Sequence, residues 1–501
     1  MAGSRAGAGR RGAGVMVSGA PHPYAEGAPD RRYANPDLLP TDTGEFRWRW
    51  WDFAAIWVCV SWSLAYLMLS GMPGQDRFTW PQTLLICGIA QVVVLLPSFL
   101  VEHAGDRYGV PFAVFARSAF GVRGAALPAL LRFVSACVFF GFQADLGVQG
   151  IQLLTGGLGD SDSGGFFSPA YLVFLALQLW IITKGPNGLR RFADLAAPVL
   201  IVGLIVALLW ASAHGEGPVL PEPARPIGWG ADFWLAAAPA LASATALFAA
   251  VGLTVPDLVH LGSSGRRAEG SGSRLGVGLL LPVLMTGILL YTMALMSMSG
   301  YGRDGYSGSL TLHALSGMPG GSLVAATMLI VATLCGNLGL NLVSAGYDLS
   351  STAPSVLGFR GAAVLAALAG TAVAWWARSS SAYEVLSWAS LAEGFFGTVS
   401  GILVVEYWIV RRTRLRPADL YRAGGPYWYT GGWNWRAVVA FLAGGVLAVG
   451  GSSEGAGAGA DGPLLPFLSP LDDFGWLVGL VVAGGLYALL TLRGRPARAG
   501  D

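Results

Sequence analysis

ALPALLRFVSACVFFGFQADLGVQGIQLL, residues 126–154, decides what kind of chain this is. Only Arg132 and Asp145 carry charge in it, and the remainder is apolar, small or amide-bearing. A helix that crosses a ~30 Å hydrocarbon core needs about 20 predominantly apolar residues. Eleven further stretches of similar character flank this one. They run Trp51–Gly71, Trp80–Val101, Phe166–Thr183, Leu195–Ala213, Phe233–Pro256, Leu275–Met298, Ser322–Ser344, Gly361–Ala377, Glu384–Val410, Trp435–Gly450 and Trp476–Leu492. The expectation is an all-α polytopic membrane protein with 12 transmembrane helices.

Composition supports that class. Of 501 residues, 54% are hydrophobic, 12% are charged and 72 are glycine, with mean hydropathy +0.56. An average soluble domain carries about 25% charged residues and about 7% glycine. The apolar runs are too long and uniform for three soluble cores, collagen would need a strict glycine period, and disorder fails on hydrophobicity. Cys59, Cys87, Cys137 and Cys335 all fall inside apolar segments, so no disulfide framework is expected. The five histidines are scattered, and no metal site is expected.

Charge placement orients the chain. With both termini and the even-numbered loops on one side, that side holds 27 of the 31 basic residues, leaving only Arg77, Arg225, Arg303 and Arg378 opposite. The positive-inside rule then makes both termini cytoplasmic, in a multi-pass protein of the cell membrane. Residues 1–45 read as a disordered cytoplasmic tail, because no apolar run follows its arginines as a signal peptide requires. Arg411, Arg412, Arg414 and Arg416 stand at a helix end, where they anchor topology and touch anionic lipid, so no nucleic-acid partner is expected. The Gly-rich strings near residues 262–273 and 450–462 lack a preceding strand and a phosphate-binding lysine. No paired nucleophile or metal set suggests an enzyme.

Four segments go beyond hydrophobicity: GDRYGVPFAVFARSAFGVRGAALPALLR (105–132) with VFFGFQADLG (138–147), LTVPDLVHLG (253–262), VATLCGNLGLNLVSAGYDLSSTAP (331–354) and VVEYWIVRRTRLRPADLYRAGGPYWYTGGWNWRA (404–437). Together they resemble nucleobase:cation symporter family 1, the cytosine, uracil, purine, allantoin and hydantoin permeases. The resemblance covers about residues 45–445 and is nearest the hydantoin-transporter and fungal uracil/allantoin branches. It implies a 5+5 inverted repeat of the sodium-coupled amino-acid transporter type. Residues 46–213 (spans 1–5) and 214–412 (spans 6–10) would be the two copies, residues 413–492 the peripheral spans 11 and 12, and residues 493–501 a cytoplasmic C-terminal tail. The fold implies that spans 1 and 6 unwind midway, where Ser61-Trp62-Ser63 and Ser243-Ala244-Thr245 interrupt the apolar runs.

The resemblance also implies a ligand site. A planar heterocycle needs aromatic faces and amides that donate and accept together. Phe139 and Gln143 match the family's aromatic and glutamine in span three, four residues apart on one helical face. Phe248 in span six matches another aromatic; the family has Trp more often at both Phe positions. Asn341 matches the binding asparagine of span eight, with Asn337 one turn earlier, and Ser63 stands where the hydantoin branch has a glutamine.

The family's sodium ligands map onto the carbonyls of Cys59, Trp62 and Ala332 and onto two hydroxyl positions, here Cys335 and Gly336. A thiol and a hydrogen are poor substitutes for hydroxyls toward a hard cation. Asp145 and Glu393 stand inside spans, and intramembrane carboxyls suit proton carriage. The expected coupling ion is therefore H+ rather than Na+, with no organic cofactor. Asp257, Asp348 and Glu406 are expected in gating or interfacial ion pairs beside loop arginines, and His260 at the interface. The function expected is import of a nucleobase-like heterocycle by cation symport. The alternatives are a same-fold carrier of a vitamin-like heteroaromatic or another small molecule, and a membrane sensor.

Overall fold

The structure, a computed structural model, describes residues 29–40, 48–70, 77–155, 168–214, 223, 225–261, 315, 317–379, 382–452 and 462–493. Within these, the side chains of 63–70, 94–95, 246–250, 377–379, 382–390 and 393 are not described. The expected span Leu275–Met298 lies outside the described residues, as do the chain ends before 29 and after 493.

Each of the other expected stretches falls on a helix. These are α1 (Trp50–Ser70), α2 (Trp80–Tyr108), α5 (Ala126–Thr155), α6 (Pro169–Ile182), α7 (Pro186–His214) and α8 (Ala231–Val259). After them come α9 (Gly321–Thr352), α10 (Phe359–Ser379), α11 (Ala382–Val404, running on to Val410), α12 (Trp435–Val449) and α13 (Gly475–Leu492). Two one-turn helices, α3 (Phe112–Phe115) and α4 (Arg117–Phe120), shape the connection between α2 and α5. Among the described residues there is no strand. Six helical runs there are long and apolar enough to cross a membrane: Trp80–Tyr108, Ala126–Thr155, Pro186–His214, Gly321–Thr352, Phe359–Trp376 and Pro466–Leu492.

Local chemistry sets the ends. The Thr79 amide donates to Gln82 Oε1 at 2.8 Å at the start of α2, and Pro81 occupies its first turn. Gly109 closes that helix with φ 66°, a left-handed conformation that suits glycine. Between α11 and α13 the backbones touch. A Cβ at Gly397 would lie 2.1 Å from the Trp476 carbonyl oxygen, and one at Gly401 2.1 Å from that of Leu480. Close approach of this kind is how apolar helices gain packing where lipid offers no hydrophobic drive.

The two ends of the bundle are built from different loops. At one end the N-terminal segment 29–40 docks: Asn35 Nδ2 donates to Ser350 Oγ at 2.9 Å, Asp37 accepts from the Phe359 amide at 2.8 Å, and Tyr421 donates to the Leu38 carbonyl at 2.7 Å. Arg117, buried between α3 and α5, donates to the carbonyls of Tyr33 and Leu420 and to Ser351 Oγ. The N-terminal segment and the second, eighth and tenth loops thus meet there. At the other end the first and fifth loops meet, through the Ile227 amide on the Arg77 carbonyl at 3.0 Å and Gln82 Nε2 on the Ile227 carbonyl at 2.9 Å.

One expectation is corrected. Neither α1 nor α8 unwinds at its Ser/Thr triplet; both run as continuous helix. Thr245 Oγ1 donates back to the Ala242 carbonyl at 2.7 Å, so its hydroxyl is satisfied without breaking the helix. The irregular backbone lies elsewhere, in π-helical turns at Asn337–Leu342 inside α9 and Val405–Val410 at the end of α11.

Candidate functional site

The wide turn in α9 puts two asparagines in the middle of the bundle. A π turn adds a residue to the helical repeat and re-aims the side chains beside it. Asn337 and Asn341 both lie in that turn, with 0% and 5% of their surface exposed. Asn341 Nδ2 donates to Asn337 Oδ1 at 2.8 Å and reaches Gln143 Oε1 on α5 at 3.5 Å. Asn337 Nδ2 in turn donates to the Phe140 carbonyl at 3.2 Å. Gln143 is buried, and Phe139, one turn away on α5, is half-buried. A glycine within the turn lets α1 pack beside it: a Cβ at Gly339 would meet Ile56 of α1 at 3.6 Å. Three helices therefore converge on one set of uncharged amides.

Of the residues singled out for a ligand, Gln143, Asn337 and Asn341 are brought together. The side chains of Ser63 and Phe248 lie outside the described residues, although both backbones are helical. Of the residues singled out for the coupling ion, Cys59, Trp62, Ala332 and Cys335 are all buried on α1 and α9, and the Cys335 thiol is in hydrogen-bonding contact with Cys59. Both cysteines are free thiols. Asp145 is half-buried on α5, two residues past Gln143. The Glu393 side chain lies outside the described residues.

A second constellation was not foreseen as a unit. Arg132, counted from sequence as a topology-setting arginine, is only 3% exposed and grips both Asp348 and Asp257, each 0% exposed. Its Nε and Nη2 donate to Asp348 at 2.6 and 2.8 Å, and Nη2 also donates to Asp257 Oδ2 at 2.6 Å. Nη1 donates to the Leu253 carbonyl, the Phe112 amide donates to Asp257 Oδ1 at 2.8 Å, and the Phe112 ring lies 4.0 Å from the guanidinium. The available signal was an arginine inside an apolar run, since an intramembrane charge normally has a named partner. Glu406 fulfils the ion-pair expectation, with Arg411 Nε at 2.7 Å. His260 caps the C-terminal end of α8 and is buried there, with its ring 5.0 Å from Tyr347 and Nδ1 3.1 Å from the Pro256 carbonyl. Packing of α8 on α9 covers a residue whose sequence neighbours suggested a span end.

Apolar helices long enough to cross a membrane, wrapped around buried amides, are the architecture of a polytopic carrier rather than of an enzyme. Over residues 41–479 the chain matches the family described as permease for cytosine/purines, uracil, thiamine, allantoin, and it belongs to that family. It is 26% identical over 480 residues to the allantoin permease of Bacillus subtilis (strain 168), covering 93% of this chain and 94% of that one. It is 29% identical over 443 residues to the purine-uracil permease NCS1 of Arabidopsis thaliana, covering 84% and 72%. Among solved structures, a nucleobase-cation-symport-1 family transporter in a closed conformation with bromovinylhydantoin bound superposes with TM-score 0.73 at 21% identity, covering 92% of this chain and 96% of that chain. That likeness establishes the fold.

Proposed function

We propose that this permease imports a nucleobase or related heterocycle, of uracil, cytosine, purine, allantoin or hydantoin type, by cation symport with alternating access. The observation that carries the reading is the buried Asn337–Asn341–Gln143 cluster at the wide turn of α9. Amides donate and accept at once, as the edge of a heterocyclic amide does. The 3.5 Å contact between Asn341 and Gln143 is at the outer limit of a hydrogen bond, so a ligand edge that displaces it forfeits little. Phe139 is the aromatic that α5 offers beside Gln143, and Phe248 of α8 and Ser63 of α1 are the further ligand residues that the family resemblance implies.

The arrangement proposed around that pocket has twelve crossings in a cell membrane, with residues 46–213 and 214–412 as inverted copies and both termini cytoplasmic. Protons are the proposed coupling ion. The positions that would give sodium two hydroxyls hold Cys335 and Gly336, and the Cys335 thiol engages Cys59. Carbonyls of Cys59, Trp62 and Ala332 alone make a poor cage for a hard cation. Asp145 and Glu393 are the carboxyls that the α5 and α11 sequences offer as carriers.

The test is uptake of labelled uracil, cytosine, hypoxanthine, allantoin and a hydantoin into permease-deficient cells, under imposed proton or sodium gradients. Accumulation of one compound that follows the proton gradient and is abolished by Asn341→Ala supports the reading. Uptake that requires sodium and ignores pH would overturn proton coupling. Absence of uptake for every compound would overturn the substrate class.

A further inference from the structure

Two aspartates and one arginine, all buried, leave the Arg132–Asp257–Asp348 cluster one negative charge in excess when every group is ionised. An uncompensated charge in a low-dielectric interior costs several kcal/mol or more, and such groups usually take up a proton instead. The other titratable groups on the elements packed around the cluster are His260, one turn along α8 from Pro256 and hydrogen-bonded to its carbonyl, Tyr347, beside Asp348 on α9 and in the field of Asp37, and Glu102, His103 and Asp106 on α2, which packs on Pro256 through Gly105. The Phe112 amide and the Leu253 carbonyl bring one donor and one acceptor but no net charge.

The position of the cluster matters as much as its charge. Arg132 is seven residues before Phe139 and eleven before Gln143, while Asp348 is seven after Asn341 and eleven after Asn337. Those spacings are about two and three α-helical turns, so Arg132 lies on the same face of α5 as Phe139 and Gln143, and the ionic cluster stands roughly 10 to 17 Å along α5 and α9 from the amides at 1.5 Å per residue. Asp257 ties in α8, the helix that carries Phe248. The three helices that would grip a ligand are thus clamped by the same arginine near the end where the N-terminal segment docks.

We propose that Asp257 and Asp348 together form a proton-binding site, gripped by Arg132, that holds one shared proton while the cluster is closed and releases it to water when α5, α8 and α9 separate at that end. The proposal rests on the proton-symport reading above and adds a place for the proton besides Asp145 and Glu393. In the closed cluster the proton removes the surplus charge; on opening, water solvates both carboxylates and accepts the proton. Substrate at the amides and proton at the cluster then favour the same closed packing of the same three helices, which is what coupling requires.

The experiment has two arms. Infrared spectroscopy of the purified full-length chain, titrated from acid to alkaline pH, reads the carbonyl stretch of a protonated carboxyl without needing a substrate. A titrating band, shifted in D2O and lost in Asp257→Asn or Asp348→Asn, is expected. No titrating band, or a band unchanged in both variants, would overturn the proposal; loss of the pH response in His260→Gln while both Asn variants keep it would do the same by assigning the proton to the imidazole. If an Asn variant does not fold, the wild-type band and its D2O shift still decide whether a protonated carboxyl exists, and the other Asn variant assigns it. In the second arm, proteoliposomes take up labelled uracil or allantoin. The variant that lost the band is expected to lose proton-driven accumulation, with exchange whose rate no longer varies with pH, whereas accumulation equal to wild type would overturn the proposal. Failure of the wild type to move any heterocycle would sink the transport reading and leave the infrared result standing.

Discussion

Glu406 and Arg132 are both buried charged residues near the end of the bundle where the N-terminal segment docks, but their surroundings differ in kind. Glu406 meets one cation, Arg411 at 2.7 Å, and accepts from the Tyr487 hydroxyl at 2.8 Å. Arg411 also donates to the Tyr429 hydroxyl, which donates to the Ser118 carbonyl at 2.7 Å. Charges cancel there, and the neutral partners bind α11, α13 and the loops into a fixed latch. Arg132 meets two carboxylates, so its cluster is complete only with a proton. A balanced cluster cancels its own charges without a bound proton, whereas an unbalanced one makes its packing depend on proton supply. The amide cluster on α5 and α9 is a third kind of buried polarity, uncharged, with a firm bond inside α9 and a loose one across to α5.

The contrast predicts a ranking of effects. Arg132→Ala is expected to be the most damaging change, because it strands two buried aspartates; removal of one partner from a buried ion pair costs about 3–5 kcal/mol. Thermal unfolding followed by size-exclusion chromatography should show the loss, and a partial recovery at acid pH is expected as the carboxyls protonate. Equal stability of Arg132→Ala and wild type at neutral pH would contradict the cluster's charge count. Glu406→Gln should cost less, about 1–2 kcal/mol, since Arg411 retains the Tyr429 hydroxyl and the amide still accepts from Tyr487. A loss of stability as large as that of Arg132→Ala would make the two clusters alike.

Asn341→Ala should cost stability about 1 kcal/mol or less, in line with interhelical hydrogen bonds in membranes, yet abolish heterocycle binding measured by quenching of tryptophan fluorescence. An equal loss of stability and binding would mean that the amides are structural. The smallest effect is expected for Cys335→Ser, which places a hydroxyl where a thiol contacts Cys59. Sodium should then stimulate uptake slightly, with folding unchanged, as read by uptake at matched pH with and without sodium.

Much of this was legible in sequence because bilayer thickness imposes a length on apolar runs, and eleven of the twelve stretches fall on described helices. Gln143, Asn337 and Asn341 were singled out by the family resemblance, and the structure brings those three together. The unwinding expected at Ser61–Ser63 and Ser243–Thr245 was misplaced: both helices run through, and at the second triplet Thr245 bonds back to the Ala242 carbonyl. Nothing in NLGLNL announces a π turn, because the extra residue is accommodated by packing against α5 and α1 and not by a local preference. Arg132 illustrates the same limit: its count contributes to sidedness, but its partners lie 125 and 216 residues away.

Sequence alone determined that the chain is a bundle of apolar helices with a strong charge asymmetry, because hydropathy and arginine placement act through residue type and spacing. It also supplied the amides that the structure gathers between α5 and α9. Only the tertiary structure decided which of those side chains meet, where the helix widens to aim them, and that one arginine holds two aspartates from different helices. Those outcomes depend on contacts between residues far apart in the chain, and in a low-dielectric interior such contacts fix the energy of every buried charge.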